Sequence, residues 1–135
     1  MMATEELKKS SMMGHLMDAL ERGESVGHYG RLVFAMVARY FLDEKELLSL
    51  LSKDPECDDQ QARALIAQVN ARNYNPPHRD RILEWMDRQE FPICPDAQDP
   101  RQCNVYRDLN FPRELYDRIE QFYEQAAAPA GAAPH

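Results

Sequence analysis

Basic and aromatic side chains cluster at two places in this chain, and both clusters have the chemistry to bind phosphate. The first holds His28 and Arg31, at the start of a long apolar run. The second surrounds two consecutive prolines and comprises Arg72, Tyr74, His78, Arg79 and Arg81. Guanidinium groups form forked hydrogen bonds with phosphate, and cations beside an aromatic ring hold single-stranded nucleic acid by charge and stacking.

The apolar run Leu32–Leu42 must position the first cluster. Arg39 is its one charged residue, and apolar side chains cover every side of a helix drawn through it. Such a helix has to be buried, and it is too short to span a bilayer. We expect its positively polarised N-terminus to face solvent beside His28 and Arg31, ready for an anion. The structural alternative is that His28 caps the helix and Arg31 pairs with an acid.

Apolar residues at helical spacing predict the other elements, with caps and prolines marking their ends. The fold class is all-α: a compact bundle of five to six short helices around the buried central helix, with a proline-rich loop. We expect one domain over residues 1–125 and a disordered tail over 126–135. The outer helices are expected over Glu5–Arg22, after Asp43, after Asp58 or Asp59, from Pro76 or Pro77 to about Gln89, and from Pro112 onward.

Composition limits the function classes. The chain has 135 residues and a net charge of −7, which works against indiscriminate nucleic-acid binding and favours only a local basic footprint. No secretory signal or membrane span is apparent, so we expect a cytoplasmic protein that makes no membrane contact. Three cysteines, an odd number, argue against a disulfide framework.

Four motifs appear in a characteristic order. They are His28-Tyr29-Gly30-Arg31, Asp54-Pro55-Glu56-Cys57-Asp58-Asp59, Tyr74-Asn75-Pro76-Pro77, and Cys94-Pro95 with Cys103. In this order and spacing the chain resembles the C-terminal domain of the large subunit of archaeo-eukaryotic DNA primase, over roughly residues 10–103. The resemblance implies that His28 and Arg31 bind the 5′-triphosphate of a primer. It also implies four cysteines that hold a [4Fe–4S] cluster.

The chain departs from that family at the cluster. Met12 and Arg79 stand at two of the four expected ligand positions, which leaves Cys94 and Cys103. Because two thiolates cannot hold a cubane, we expect no [4Fe–4S] cluster and no other cofactor. Apolar packing around Met12 would replace the cluster. The two cysteines are weak metal candidates, with Cys57, His15 and His78 as further zinc donors, and free thiols are the simpler expectation.

Two further sets of residues are best interpreted as structural. The carboxylates of Glu84, Asp87, Glu90 and Asp96 lack a nucleophile or a phosphate loop, so we read them as a solvated face and expect no enzyme. The last third of the chain is rich in aromatic residues, and we expect Phe111 and Phe122 to pack in the core. Tyr106, Tyr116 and Tyr123 are open between core packing and a partner surface.

The resemblance, together with the basic clusters, implies a non-catalytic accessory domain for nucleic acid. It would hold a primer 5′-phosphate end or a template single strand for a separate catalytic primase-polymerase subunit. His28 and Arg31 would hold phosphate, Arg79 and Arg81 would follow the backbone, and Tyr74 would stack on a base. The alternative is a cluster-less adaptor for protein–protein interaction, favoured by the acidic charge and the missing ligands.

Overall fold

The computed structural model describes residues 2–119, with side chains from residue 4 onward. This part of the chain is all-helical around a compact core, which confirms the predicted fold class. The predicted tail 126–135, with Phe122 and Tyr123, lies outside the described residues. The helices are α1 (Met2–Leu7), α2 (Ser11–Glu21), α3 (Gly27–Ala38), α4 (Glu44–Leu51), α5 (Asp59–Arg72), α6 (Arg79–Met86), α7 (Val105–Asp108) and α8, which is described over 113–119.

The first predicted helix is in fact two helices. Ser10 interrupts it, because its buried hydroxyl accepts a hydrogen bond from the Met13 amide at 3.2 Å and starts α2 afresh. At the other end Gly23 takes a positive φ of 76°, as expected for a C-terminal glycine. The Ser10 break places the N-terminus of α2, and therefore Met12, in the protein interior.

Helix α3 is the buried central helix that the apolar run predicts. Its side chains from Val33 to Ala38 are at most 7% exposed, and α2, α4, α5 and α6 all contact it. The helix ends at Ala38, four residues before the predicted end, and the chain continues as turns to Leu42. Arg39 therefore stands at the C-terminal end of α3, where it is partly buried.

Local caps set the next two helices. The Asp43 carboxylate accepts from the Glu46 amide at 2.8 Å, and Asp58 forms a reciprocal capping box with Gln61. Asn73 ends α5 in the left-handed conformation, with φ of 51°. The chain then passes through the two prolines, both buried, and α6 begins at Arg79 and ends at Met86, a shorter helix than predicted.

Within residues 2–119, none of the helices combines the length and the hydropathy that crossing a bilayer requires.

Candidate functional site

The N-terminal turn of α3, the helix tip, is filled by a side chain of the protein itself. The carboxylate of Asp54 is 0% exposed, and its Oδ2 accepts from the Val26 amide at 3.0 Å and from Nη1 of Arg31 at 2.9 Å. Its Oδ1 accepts from the Glu56 amide at 2.8 Å. Burial by itself raises the pKa of Asp54, but the hydrogen bonds from Glu56, Arg31 and Val26 outweigh it and hold the pKa below its usual value.

This arrangement corrects the expectation of an open anion site at the tip. Arg31 is paired with a buried acid, which is the alternative that the sequence left open, because an internal carboxylate already supplies the anion that a helix N-terminus attracts. His28 is exposed and lies edge-on to the Tyr29 ring, and its phosphate-binding role stays a prediction. The acidic motif that contains Asp54 is visible in the sequence, but no local signal connects it to the N-terminus of α3.

Gln89 completes the filling of the tip from a distant part of the chain. Its side-chain oxygen accepts from the Tyr29 amide at 2.9 Å, and its nitrogen donates to the carbonyls of Val26 at 2.7 Å and Phe91 at 3.1 Å. No local pattern points to this contact, because a lone glutamine carries no positional signal. The side chain leaves no room at Gly27, whose φ is +79°.

We expect Gly27→Ala to destabilise the fold by about 2 kcal/mol. A Cβ there would stand 2.5 Å from the Gln89 oxygen, and the positive φ strains any L side chain. Urea unfolding at matched concentration measures the loss. Gly23→Ala is the control, since it has a similar φ of +76° but open space around it, and it should cost less. Equal losses at the two positions would mean that the Gln89 contact contributes nothing.

Several of the predicted residues do come together, in a groove of about 880 Å³ that we call the aromatic groove. Of the predicted set, Tyr74, His78 and Arg81 line it. The ring of His78 stacks on Tyr106 at 4.8 Å, and the Tyr106 hydroxyl donates to the Pro76 carbonyl. The other lining residues are Leu32, Met36, Asn75, Pro76, Pro77, Asp80, Glu84, Trp85, Tyr106 and Ile119.

The charges on the rim of the groove are held loosely. Arg81 lies 3.7 Å from Glu84, and the two side chains are 62% and 59% exposed. An exposed pair of this kind contributes little to stability, so the Arg81 guanidinium can turn to another anion at small cost. Arg72 is exposed at the last turn of α5 and does not line the groove.

Arg79 is turned to a structural task. Its Nε donates to the Gln102 carbonyl at 3.1 Å, and its Nη2 donates to the carbonyls of Ala97 and Asp99. All three acceptors lie in the loop between Cys94 and Cys103. These donors hold the loop, because backbone carbonyls that lack helical partners need such donors. That Arg79 follows a nucleic-acid backbone stays a prediction.

Cys94 and Cys103 form a disulfide that encloses this loop, which corrects the expectation of free thiols. Cys57 is buried and free, and burial raises the pKa of its thiol. Among residues 4–119 no three metal-ligating side chains converge. The sequence reasoning missed the disulfide because it judged cysteines by their number and not by whether the loop brings them together.

The positions that the resemblance assigns to cluster ligands nevertheless lie close together. Met12, Cys94 and Cys103 belong to the same buried core and are 0%, 3% and 0% exposed. Ser11, next to Met12, donates to the Gln102 side chain, and Arg79 bonds the loop that the disulfide closes. This set offers two cysteine sulfurs, bonded to each other, where a cubane takes four thiolates, so it does not fit a [4Fe–4S] cluster.

The fold and the site thus define an all-helical domain with an internally filled helix tip and an aromatic groove. Comparisons with models of protein families, with curated proteins and with solved structures found no match.

Proposed function

We propose that this chain is a non-catalytic module that binds single-stranded nucleic acid, resembling the C-terminal domain of the primase large subunit. Its role would be to hold a primer end or template strand for a separate catalytic primase-polymerase subunit. The observation that carries the proposal is the meeting of Tyr74, His78 and Arg81 in the aromatic groove. The proposal moves the nucleic-acid footprint from the helix tip to this groove.

Physical chemistry favours a strand in such a groove. Stacking of a base on an aromatic side chain contributes roughly 1–3 kcal/mol and tolerates any base. Tyr74 and Trp85 offer rings on the lining, while Arg81 supplies a guanidinium for a neighbouring phosphate. Residues of the proline turn, of α6 and of α7 all line the groove. An acidic protein can bind nucleic acid only through a local arrangement of this kind.

The relationship to primase rests on the order of the sequence motifs, and Met12, Cys94 and Cys103 are buried in the core with the other apolar residues. If the ancestral cluster was lost, its ligand positions should still face one another, and a disulfide with an arginine-held loop is a reasonable replacement. The role of a primase-polymerase as partner rests on the resemblance alone and is part of the proposal.

A protein–protein adaptor is the second candidate, and the rim of the groove favours it. Asp80 and Glu84 place two carboxylates beside the single guanidinium of Arg81. Carboxylates repel phosphates, whereas a peptide with apolar anchors and a basic residue would suit an apolar floor with an acidic rim. This adaptor would need no nucleic acid and no catalytic partner.

Fluorescence anisotropy with a labelled single-stranded oligonucleotide at low salt separates the two candidates. We expect Arg81→Gln to weaken binding roughly fivefold and to reduce the salt slope by about one ion, because one phosphate contact is lost. The matched control is Arg63→Gln, an equally exposed helical arginine paired with Asp59 one turn away, which should bind like the wild type.

The same titration has a result that would reject the nucleic-acid function. If the wild type binds no oligonucleotide at low salt, the adaptor becomes the working proposal, and cross-linking to a basic, apolar peptide library is the next experiment. If binding occurs but Arg81→Gln and Arg63→Gln behave alike, the footprint is not at the groove.

A further inference from the structure

Two arginines from distant parts of the chain converge on one phenolic oxygen. Nη2 of Arg39 donates to the Tyr40 hydroxyl at 2.7 Å, and Nη2 of Arg118 donates to the same oxygen at 3.1 Å. The hydroxyl in turn lies 3.4 Å from the Tyr74 carbonyl, to which it can donate its own proton. The two positive charges therefore share a single phenolic oxygen as acceptor.

This arginine pair, Arg39 and Arg118, has no acidic partner in the part of the chain that the structure describes. None of the ion pairs among residues 4–119 includes either guanidinium. Burial, with the charge of Arg118 added to it, lowers the pKa of Arg39. Its Nε is buried without a hydrogen-bond partner. Partial compensation comes from the Tyr40 ring, 4.4 Å from the Arg39 guanidinium carbon.

The neutral side-chain oxygens of Asn70, Asn73 and Asn75 accept the arginine hydrogen bonds that an anion would otherwise accept. The side-chain oxygen of Asn75 accepts from both Nε and Nη2 of Arg118, with the Nε contact at 3.0 Å. Nε and Nη2 are the forked pair of donors with which arginine binds phosphate or carboxylate. Asn75 is exposed, so its amide can rotate away, and charge-assisted bonds to an anionic oxygen are roughly twice as strong as those to a neutral one.

The site adjoins the aromatic groove. Arg39 donates to the Tyr74 carbonyl at 2.7 Å, Arg118 is held by Asn75, and Ile119 follows Arg118 directly. Tyr74, Asn75 and Ile119 all line the groove. A phosphate at the arginine pair would therefore sit at one end of a strand whose bases enter the groove.

We infer that Arg39 and Arg118 form a binding site for a phosphate group, with Asn75 occupying the Arg118 fork when no phosphate is bound. As a phosphate subsite of a bound strand, the site rests on the proposed function. As a receptor for phosphate itself, it rests only on the two guanidinium groups. The phosphate could be free or the terminal group of a nucleic acid, and the experiment separates these sources.

Inorganic phosphate is the direct probe, titrated at constant ionic strength while the Arg118 Nε–H signal is followed by NMR. In the wild type the shift should saturate, and Arg118→Gln should weaken the affinity at least tenfold as read from backbone amides near Tyr74. Arg113→Gln, an exposed arginine five residues earlier on α8, is the matched control and should stay within twofold. Shifts that fail to saturate, or that are equal in wild type and Arg118→Gln, would overturn the site.

Asn75→Ala tests the displacement directly, because removing a side chain with a purely structural role would not improve phosphate binding. Because the amide competes with phosphate for the Arg118 fork, its removal should tighten phosphate binding several-fold. Weaker or unchanged binding in Asn75→Ala, with the fold intact by circular dichroism, would contradict the displacement that we infer.

Oligonucleotides with a 5′-phosphate and with a 5′-hydroxyl distinguish failure of this site from failure of the proposed function. Loss of the 5′-phosphate preference in Arg118→Gln supports the subsite. If inorganic phosphate binds and neither oligonucleotide does, the site stands and the nucleic-acid function falls. If both oligonucleotides bind wild type and Arg118→Gln alike, the function stands and the subsite falls.

Discussion

Asp54→Asn is expected to lower the free energy of unfolding by about 3 kcal/mol, the cost typical of breaking a buried ion pair from one side. The substitution keeps the shape of the side chain but removes the charge that Arg31, itself only 13% exposed, requires. It also weakens the hydrogen bonds from the amides of Val26 and Glu56, which are stronger to a carboxylate than to an amide. Urea unfolding followed by circular dichroism measures the loss.

Asp59→Asn is the control for that measurement. Asp59 also pairs with an arginine, Arg63, but the two side chains are 64% and 66% exposed, and such a pair contributes little. A loss at Asp54 no larger than the loss at Asp59 would mean that the filled tip does not stabilise the fold.

The pH dependence of the same variant follows from the direction of the pKa shift. Because the pKa of Asp54 is lower in the folded state, its contribution to stability is fully present above about pH 4, the ordinary pKa of aspartate. The contribution is lost as the pH falls through the lowered folded pKa. The difference in unfolding free energy between wild type and Asp54→Asn should therefore shrink below pH 4.

Local signals in the sequence were sufficient for most of the helices. The caps at Asp43 and Asp58 act over three residues, and the central helix is identified by its own apolar composition. Ser10 was missed because the periodicity of the flanking segments runs on across it. Whether a cap forms inside a continuous apolar pattern depends on how the second helix is buried in the folded protein. No short window of sequence contains that information.

The candidate site was harder to predict because its contacts are non-local. Asp54 accepts from an amide 28 residues away, and Gln89 donates to a carbonyl 63 residues away, so neither partner follows from spacing. Tyr74 and His78 line the same groove because the proline turn keeps them close in sequence. Arg39 and Arg118 were never linked, since 79 positions of chain separate two residues that each look like ordinary surface charges.

Breaking the Cys94–Cys103 disulfide is the second large effect that we expect. The bridge closes a loop with a sequence separation of 9, and in the chain-entropy account such a loop stabilises the fold by roughly 2–3 kcal/mol. The reductant dithiothreitol should therefore lower the unfolding free energy of the wild type by this amount. The double variant Cys94→Ser/Cys103→Ser should start at the lower value and show no response to reductant.

Part of the constraint should persist after reduction, because Arg79 bonds the same loop through the carbonyls of Ala97, Asp99 and Gln102. Arg79→Gln should therefore cost more in reductant than without it, as the two restraints act on one segment and are not additive. Equal costs in the two conditions would show that they act independently. In a compartment that keeps thiols reduced, Arg79 would be the restraint that remains, and it connects the loop to the start of α6 beside the groove residue His78.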